Sequence, residues 1–371
     1  MRYYIIAGEA SGDLHGSNLI KELKKRDEQA NIRCWGGDLM ELAGGKLVKH
    51  YRDLAFMGFV EVLKNIRTIF RNLDFCKKDI LEFKPDVIIL IDYPGFNIRI
   101  CEWAKENGFK TIYYISPQVW AWKENRVKII KRCVDKMLVI LPFEKEFYHK
   151  WNYEVEYVGH PLIEVISKSK EKGVNAETDE KPIVALLPGS RKQEILKKLP
   201  VMLEMSRIFP DYQFVVAQAP GQEDSFYSAI LDSYPGVKLV KGQTYDLLKQ
   251  SKAALVTSGT ATLETGLFGV PQVVCYKGSS ISYMIAKRVI KVKYISLVNL
   301  IMNKLVVKEL IQDQLTKENL EVELSAILFD KLRISSIKKD YDLLWKLLSE
   351  GGNASAQAAT QIINFLKSSA S

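Results

Sequence analysis

Short, fully apolar runs recur along this sequence, and most are followed by a small polar loop and then by a helical pattern. The clearest run is Val87–Ile91, directly after Lys84-Pro85-Asp86, and Tyr3–Ala7 and Ile183–Leu187 are of the same kind. Runs this short and this apolar are typical of parallel strands whose two faces are both covered by helices. The alternation therefore predicts an α/β fold built from doubly wound parallel sheets.

The chain is too long for one ordinary core, because it has 371 residues and the alternating pattern restarts after a polar stretch. That stretch, residues 167–181, is rich in charge and predicts a linker or a long exposed loop. We expect a first domain at 1–166 and a second at 182–344 with a cleft between them. The chain after Val306 is expected to be mostly helical, and a C-terminal helix at about 345–371 to pack back on the first domain.

Net charge favours some partners over others. The excess of +9 favours anions such as phosphates and acidic lipid headgroups, although solubility alone also explains an excess of this size. Basic residues are dispersed and no recognised nucleic-acid-binding module occurs, so nucleic acid is the least favoured partner. No apolar run approaches the roughly 20 residues that span a bilayer, so any membrane contact is expected to be peripheral.

Cysteine and histidine usage bears on disulfides and metals. The 5 cysteines are widely spaced without a C-x-x-C pair, which is typical of a reduced chain without disulfides. The 4 histidines do not fall at the spacing of zinc ligands, so no structural metal is expected.

The loop after the first strand reads G-E-A-S-G-D-L-H-G from Gly8. Glycines allow close backbone approach to a ligand, and the following helix start favours an anion. The spacing is not G-x-G-x-x-G, so a nicotinamide dinucleotide lacks its main support and no cofactor is expected. Helix capping by Ser11 or Asp13 would explain about half of the loop. We favour a binding site formed by Glu9, Ser11, Gly12 and His15.

Asp92 follows the most apolar run immediately, in the sequence I-D-Y-P-G-F-N. A carboxylate there points into a cleft, where partial desolvation raises its proton affinity and suits it to act as a general base. The alternative, that Asp92 only shapes the turn, is equally compatible with the motif. In the next such loop, S-P-Q-V-W-A-W-K, Gln118 and Trp120 are candidates for sugar or acyl contact, and packing is the alternative.

Two loops of the second half suit a nucleotide diphosphate. In L-L-P-G-S-R, the amides, the Ser190 hydroxyl and the Arg191 guanidinium follow Gly189 at a strand end, although Ser190 as a simple helix cap is the alternative. In T-S-G-T-A-T-L-E, hydroxyls and amides precede a carboxylate able to accept from ribose, although a capping box is also possible. The candidates in this second loop are Ser258, Gly259, Thr260, Ala261 and Glu264.

A basic amphipathic pattern begins at Phe59. Its apolar residues recur at helical spacing beside Lys64, Arg67 and Arg71, which is typical of a helix lying at a membrane interface, although packing on the sheet is the commoner fate. A second basic cluster at 287–293 would add attraction to acidic lipid. The candidates for acyl or membrane contact are Phe59, Val62, Leu63, Ile66 and Phe70.

Taken in order, the motifs resemble the lipid-A-disaccharide synthase family. The matching segments span Ala7 to about Leu300 and read A-G-E-A-S-G-D, M-G-F-V-E-V-L, I-D-Y-P-G-F-N, S-P-Q-V-W-A-W, L-P-F-E-K-E-F-Y, V-G-H-P-L, L-L-P-G-S-R, S-G-T-A-T-L-E and Y-I-S-L-V-N-L. Each segment is weak evidence alone, but the ordered set is specific.

The resemblance implies a GT-B fold, two Rossmann-like domains facing across a cleft. It implies transfer of 2,3-diacylglucosamine from its UDP derivative to 2,3-diacylglucosamine 1-phosphate, which forms a β-1,6 disaccharide phosphate and UDP. The enzyme would be peripheral to the inner membrane in the bacterial cytoplasm. Its partners would be the two acylated sugars and the membrane surface, and a homodimer is left open.

Carried over by motif, Asp92 matches the proposed catalytic base and Arg191 the arginine that holds the donor diphosphate. Glu264 matches the nucleotide-contacting segment, and Asn299 is expected to line the same pocket. The family often has a second acid where this chain has Gly95, which leaves Asp92 as the main candidate, with Glu9 and His15 kept open as bases. Fixed cations and amides could stabilise the leaving diphosphate without a divalent metal.

Two other functions stay open from the sequence. One is a different GT-B enzyme, such as a UDP-N-acetylglucosamine transferase or epimerase. The other is a non-enzymatic, membrane-associated nucleotide-binding protein.

Overall fold

The structure, a computed structural model, describes residues 1–53, 66–173, 181–219, 221–278 and 292–368. The chain forms two compact units, Met1–Pro161 together with Leu348–Ser371, and Leu162–Leu347. Each unit contains one sheet, and every strand pairing in both sheets is parallel. Within the described ranges no helix has both the length and the apolarity needed to cross a bilayer.

The sheet of the first unit has the strand order β3-β2-β1-β4-β5-β6-β7. Its strands are β1 Arg2–Ala7, β2 Asn31–Gly36, β3 Lys46–His50, β4 Val87–Ile91, β5 Thr111–Tyr114, β6 Lys136–Val139 and β7 Glu156–Tyr157. Its helices are α1 Ala10–Arg26, α2 Asp38–Leu42, α3 Ile66–Phe83, α4 Pro94–Glu106, α5 Arg126–Cys133 and α6 Phe143–His149, with a 3-10 turn at Tyr51–Asp53.

The sheet of the second unit has the order β10-β9-β8-β11-β12-β13. Its strands are β8 Ile183–Leu187, β9 Gln213–Gln218, β10 Lys238–Lys241, β11 Ser251–Thr257, β12 Gln272–Tyr276 and β13 Lys308–Ile311. The remaining helices of the chain are α7 Pro161–Glu171, α8 Lys192–Ile208, α9 Asp224–Leu231, α10 Thr244–Gln250, α11 Thr260–Leu267, α12 Leu297–Met302, α13 Lys317–Phe329, α14 Lys331–Ser349 and α15 Ala354–Ser368, with a 3-10 turn at Gln312–Gln314.

Both faces of the first sheet are buried, as its apolar strands predict. Every residue of β4 is buried. Alternate residues of β1 serve opposite cores: Tyr4 faces one core, and Ile5 faces a second core that includes Leu19 of α1 and Ile362 of α15. The last helix therefore packs on α1. Burial of this apolar area is the main source of stability, at roughly 25 cal/mol per Å².

In each sheet the strand order reverses at one point, between β1 and β4 and between β8 and β11. Loops that leave neighbouring strands there diverge to opposite faces, so a crevice opens at the carboxyl ends of the strands. The loops after β1, β4, β8 and β11 contain most of the candidate residues of the sequence. The topology thus places them where ligands bind in such folds.

Some elements differ from the sequence-based expectation. The predicted linker at 167–181 is partly wrong, because α7 continues to Glu171; residues 174–180 lie outside the described part. The chain after Val306, expected to be mostly helical, also includes β13, whose sequence K-E-L-I lacks an apolar run. Its Glu309 is buried because the carboxylate accepts hydrogen bonds from neighbouring backbone and side chains.

Candidate active site

Asp92 lies at the carboxyl end of β4 in an unusual backbone conformation. Asp92 and Tyr93 both have positive φ, 44° and 49°, and Ile115 at the end of the adjacent β5 has φ 66°. Residues other than glycine seldom adopt this region, and each instance costs on the order of 1 kcal/mol or more. Three such residues at one sheet edge indicate that the surrounding structure imposes this geometry.

Hydrogen bonds to the backbone hold the Asp92 turn. The phenol of Tyr113 donates to the Asp92 carbonyl at 2.5 Å, and the Asn97 amide Nδ2 donates to the same oxygen at 2.8 Å. Asn97 Nδ2 also donates to the Ile91 carbonyl at 3.2 Å. Tyr113 and Asn97 are both fully buried, so these bonds are not exchanged with solvent. They fix the main chain from the core side and leave the carboxylate to be placed by the turn.

The Asp92 carboxylate is half-buried at the switch point of the first sheet. Burial, followed by the negative charge of Glu9, raises its pKa to about 6 against the opposing effect of the Tyr93 backbone N–H. The Glu9 and Asp92 loops are pressed together at Gly8, where a Cβ would lie 2.3 Å from the Tyr93 ring. Glycine at this position therefore allows the two acidic loops to meet.

The other candidates of the first loop have different environments. His15 Nδ1 is buried without a hydrogen-bond partner in the described part of the chain, and burial lowers the His15 pKa to about 4. Ser11 is exposed and Gly12 is buried. Neither Ser11 nor Asp13 caps the helix: α1 begins after Glu9, and no side chain makes a cap hydrogen bond. Asp13 instead accepts from the backbone amides of α2 and the residue before it.

The loop after β5 packs on α6. Trp120 is half-buried with its ring edge-on to Phe143 of the same unit at 5.0 Å, while Gln118 is exposed. Beneath the loop the Ser116 hydroxyl is hydrogen-bonded to the Tyr148 hydroxyl at 2.6 Å. Nearby Glu144 is buried, and burial raises its pKa to about 7.

A pocket of about 340 Å³ opens at the switch point of the second sheet. It is formed mainly by the loops after β8, β9 and β11 together with the starts of α8 and α11. Predicted residues among its lining are Gly189, Ser190, Ser258, Gly259, Thr260, Ala261 and Glu264. Residues that the sequence did not single out include Leu187, Glu194, Ala217, Gln218, Ala219, Thr244 and Thr257.

The Gly189-Ser190-Arg191 turn connects β8 to the start of α8. Gly189 has φ 114°, and a Cβ there would lie 3.0 Å from Glu194 Oε2. The N-cap of α8 is Arg191 rather than Ser190, so the simple cap by Ser190 is wrong. The Arg191 guanidinium lies 3.3 Å from Glu194 Oε1 and is largely exposed. Ser190 lines the pocket, whereas Arg191 is not among the described lining residues and adjoins the pocket through its ion pair with Glu194, which does line it.

Lys198 is the residue near this pocket that sequence reasoning missed. Its side chain is 2 % exposed, its ammonium donates a hydrogen bond to the Thr257 hydroxyl, and it lies 3.7 Å from Glu194 Oε2. Burial lowers its pKa, which the Glu194 charge partly offsets. The only sequence signal was a lysine one turn after Glu194, and such pairs are usually solvated. Lys198 is therefore a buried cation directly behind two pocket-lining residues, Glu194 and Thr257.

The opposite wall is formed by the loop after β11 and the start of α11. The N-cap of α11 is Gly259, with φ 146°, and no side-chain bond of a capping box is present there. The Ser258 hydroxyl donates to the Ile295 carbonyl at 2.8 Å. Glu264 accepts from the Tyr245 phenol at 2.7 Å, and burial raises the Glu264 pKa. The hydrogen bond from Tyr245 therefore holds the Glu264 carboxylate in place at the pocket wall.

The expectation that Asn299 lines this pocket is wrong. Asn299 is fully buried, its Nδ2 donates to the Val307 carbonyl and to Glu309, and its Oδ1 accepts from the Val306 amide. Glu309 also binds the backbone amide of Ile295, the residue whose carbonyl accepts from Ser258. Asn299 thus supports the pocket from behind. Its place in a short polar motif gave no sign of burial.

Of the candidates for membrane contact, Phe59, Val62 and Leu63 lie outside the described residues, as does most of the 287–293 cluster. Ile66 begins α3, and its side chain is likewise outside the described part. Phe70 is 52 % exposed, with the Arg99 guanidinium 5.7 Å from its ring centroid. Other apolar residues of α3, such as Leu73, belong to the core of the first unit, so the packing alternative holds for part of the helix; contact with a membrane stays a prediction.

Solved structures with a similar fold include an epimerase and a glycosyltransferase. UDP-GlcNAc 2-epimerase from Neisseria meningitidis, bound to UDP-GlcNAc, superposes with a TM-score of 0.65 over 99 % of this chain and 100 % of that chain at 14 % identity. The calicheamicin glycosyltransferase CalG4 gives 0.63 over 100 % and 99 % at 15 % identity. At these identities the likeness shows the fold alone, and it confirms the predicted GT-B class of two parallel-sheet α/β domains.

Sequence comparison is more specific. Lipid-A-disaccharide synthase of Syntrophus aciditrophicus is 40 % identical over 375 residues, which cover 98 % of this chain and 98 % of that protein. The family profile described as Lipid-A-disaccharide synthetase matches residues 3–363, nearly the whole chain. The ordered motifs, both sheets and both switch-point sites fall within that match. The chain therefore belongs to the lipid-A-disaccharide synthetase family.

Proposed function

We propose that the chain is an inverting glycosyltransferase that moves 2,3-diacylglucosamine from UDP-2,3-diacylglucosamine to the 6-hydroxyl of 2,3-diacylglucosamine 1-phosphate. The products are the β-1,6 lipid A disaccharide 1-phosphate and UDP. Family membership supports the reaction class, and the two switch-point sites supply the chemistry the reaction needs.

The observation that carries the proposal is the pocket at the switch point of the second unit, with the buried Lys198 behind it. Its lining includes Ser190 just before the α8 start, and the Arg191 guanidinium lies beside the pocket-lining Glu194; these groups are suited to a diphosphate. Its far wall offers Glu264, a carboxylate suited to accept from ribose hydroxyls. We assign the pocket to the UDP part of the donor, and therefore the second unit to donor binding.

We assign the general base to Asp92 in the first unit. The acceptor hydroxyl must lose a proton as it attacks the anomeric carbon, and the base must be ionised yet basic near neutral pH. With a pKa of about 6, Asp92 meets both conditions. His15, with its pKa lowered to about 4, is a much weaker proton acceptor. Glu9 acts on the reaction through Asp92, because its charge strengthens the base.

The second chemical need is stabilisation of the leaving diphosphate. As the glycosidic bond to UDP breaks, negative charge grows on the β-phosphate. The Arg191 guanidinium lies 3.3 Å from Glu194 at the pocket rim, and we assign it to the diphosphate of the bound donor. Lys198 stays behind the loop as a fixed positive charge.

The acylated substrates require access to a bilayer, and α3 suits that role. Phe70 and Phe75 are both about half-exposed, and Arg67, Arg71 and Lys78 border the same shallow surface pocket. Aromatic rings beside basic residues favour the interface of an anionic membrane. We therefore propose a peripheral enzyme on the cytoplasmic side of the inner membrane.

The test is UDP release by the full-length protein in nonionic detergent micelles. With the acylated donor and the acylated sugar 1-phosphate, we expect UDP and a disaccharide phosphate in equal amounts. UDP-N-acetylglucosamine should neither release UDP nor undergo epimerisation, which separates the reaction from those of other GT-B enzymes. Absence of UDP release by well-folded protein that still binds UDP would exclude the proposed reaction.

A further inference from the structure

Two cations share one exposed indole in the loop between β5 and α5. Lys123 Nζ lies 4.3 Å from the centroid of the Trp122 ring, and the Arg126 guanidinium carbon lies 5.9 Å from the same centroid. Trp122 is 46 % exposed, so the ring is not packed away as Trp120 is. We call Trp122, Lys123 and Arg126 the indole–cation site.

The two cations of the indole–cation site have no anionic partner in the described parts of the chain. Neither Lys123 nor Arg126 forms an ion pair there, and the side-chain contact of both cations is the Trp122 ring. Glu124, the carboxylate between them, accepts from the Trp151 indole at 3.3 Å. Burial, and then the nearby charge of Arg126, lowers the pKa of Lys123. Both positive charges lie within 5.9 Å of the centroid of the same ring.

The backbone at Lys123 has a conformation that is uncommon in surface loops. Lys123 has φ 56°, a left-handed conformation that a lysine seldom adopts without a constraint. The Lys123 carbonyl accepts from the Arg126 amide at 2.9 Å, which closes a turn that brings both side chains to Trp122. Strain and like-charge repulsion both oppose this arrangement, and a bound anion would relieve the repulsion.

The indole–cation site belongs to the same edge of the first unit as Asp92. Its loop leaves the carboxyl end of β5, the strand next to β4, and starts at Ile115. The Asp92 amide lies 3.3 Å from the Ile115 carbonyl. An acceptor whose hydroxyl is at Asp92 would thus have this loop beside it.

We propose that the indole–cation site binds the phosphate of the acceptor sugar, with Lys123 and Arg126 contacting the phosphate monoester and Trp122 covering an apolar face of the sugar or its chain. The inference rests on the proposed function and adds to it how the acceptor is recognised. A phosphate monoester is the doubly charged group that two adjacent cations bind well, and an aromatic face beside them suits a sugar.

The test compares two acceptors with two charge-matched variants in nonionic detergent micelles. The acceptors are the acylated sugar 1-phosphate and the same acylated sugar without phosphate. The variants are Lys123→Gln with Arg126→Gln, and the control Lys131→Gln with Arg132→Gln, which removes two charges from the far end of α5. Both kcat and KM are measured for acceptor and donor, and acceptor binding is titrated directly by tryptophan fluorescence.

We expect wild type and the control to prefer the phosphorylated acceptor by roughly 30-fold, since hydrogen bonds between charged groups are worth about 1.5–3 kcal/mol. The Lys123/Arg126 variant should lose most of that preference through a higher acceptor KM, with the donor KM unchanged. Retention of the preference by this variant would overturn the inference.

One further result distinguishes a site for the acceptor phosphate from a site for lipid headgroups. Another distinguishes failure of this inference from failure of the proposed function. If the Lys123/Arg126 variant loses binding to vesicles containing anionic phosphatidylglycerol but keeps its acceptor preference, the site serves bilayer headgroups and the inference is wrong. If wild type transfers nothing, the proposed function fails. The fluorescence titration then decides the inference alone, which is overturned if phosphate adds nothing to binding.

Discussion

The phenol of Tyr113 donates a 2.5 Å hydrogen bond to the backbone carbonyl of Asp92, from a side chain that is fully buried. This bond and the one from Asn97 hold two consecutive left-handed residues at the carboxyl end of β4. The backbone at Asp92, and with it the direction of the carboxylate, is therefore set by buried groups in the core of the first unit.

Tyr113→Phe should lower kcat by about tenfold, because a lost buried hydrogen bond of roughly 1–3 kcal/mol allows the strained turn to relax. Affinity for UDP, measured by calorimetry, should not change. Tyr4→Phe is the matched control. It removes a buried phenol from the same core, and that phenol donates to Asp79 rather than to the Asp92 turn. In an Asp92→Asn background Tyr113→Phe should have little further effect on rate; an equal loss there would show that Tyr113 acts on folding instead.

The pH dependence of kcat should follow Asp92. A base works when deprotonated, so kcat should rise with pH through about 6 and then level off. Glu9→Gln removes a negative charge that raises the pKa of Asp92, so the midpoint of the profile should move to lower pH. Stopped assays in constant-ionic-strength buffers measure both. A midpoint that moves to higher pH, or not at all, would contradict the coupling.

The raised pKa of Asp92 also has a consequence for stability. Ionisation costs more in the folded than in the unfolded chain, so the penalty is absent below the unfolded value of about 4 and complete above the folded value of about 6. Asp92→Asn should therefore raise the melting temperature at pH 8 and change it little at pH 4. Thermal denaturation followed by circular dichroism tests this, and a destabilised variant at pH 8 would count against burial of the charge.

Lys198→Met should weaken UDP binding by about tenfold or more, because it removes a buried cation behind the diphosphate loop. Lys249→Met is the control: Lys249 is also little exposed, in the same unit, but its partner is Asp246 at 3.0 Å. Calorimetric titration of UDP and of uridine into both variants measures the effect. Equal losses for uridine and UDP would contradict a role in phosphate binding.

Phe70→Ser combined with Phe75→Ser should reduce binding of the full-length protein to anionic vesicles, since both rings are about half-exposed on α3. Co-sedimentation with vesicles measures this, and the rate with short-chain substrates in micelles serves as the control. Unchanged vesicle binding would show that α3 is not the membrane contact.

Sequence reasoning located the loops at the strand ends well where an apolar strand is followed directly by a polar loop. The apolar runs of β4, β8 and β11 mark the strand ends, so the loops at Asp92, Gly189 and Ser258 can be predicted without the strand order. The strand order then explains why these loops lie at switch points. A polar loop directly after an apolar strand therefore indicates a candidate ligand site in an α/β fold, because ligands bind at the carboxyl ends of parallel strands.

Residues whose role depends on distant partners could not be predicted in this way. In the sequence, Lys198 resembles a solvated lysine on a helix. The burial of Lys198 is apparent only from its contact with Thr257, which lies on β11. Asn299 looks like a pocket residue, yet its amide is occupied by Glu309 and the backbone of the segment before β13. Tyr113 appears only as an apolar strand residue until its bond to Asp92 is seen. These contacts join segments remote in sequence.

The most direct measurement is the rate of disaccharide formation by Asp92→Asn, with its UDP affinity determined on the same preparation. We expect a loss of about 100- to 10,000-fold in kcat, the usual contribution of a general base, with UDP affinity equal to that of wild type. A variant that keeps its rate within a few-fold of wild type would show that Asp92 is not the base.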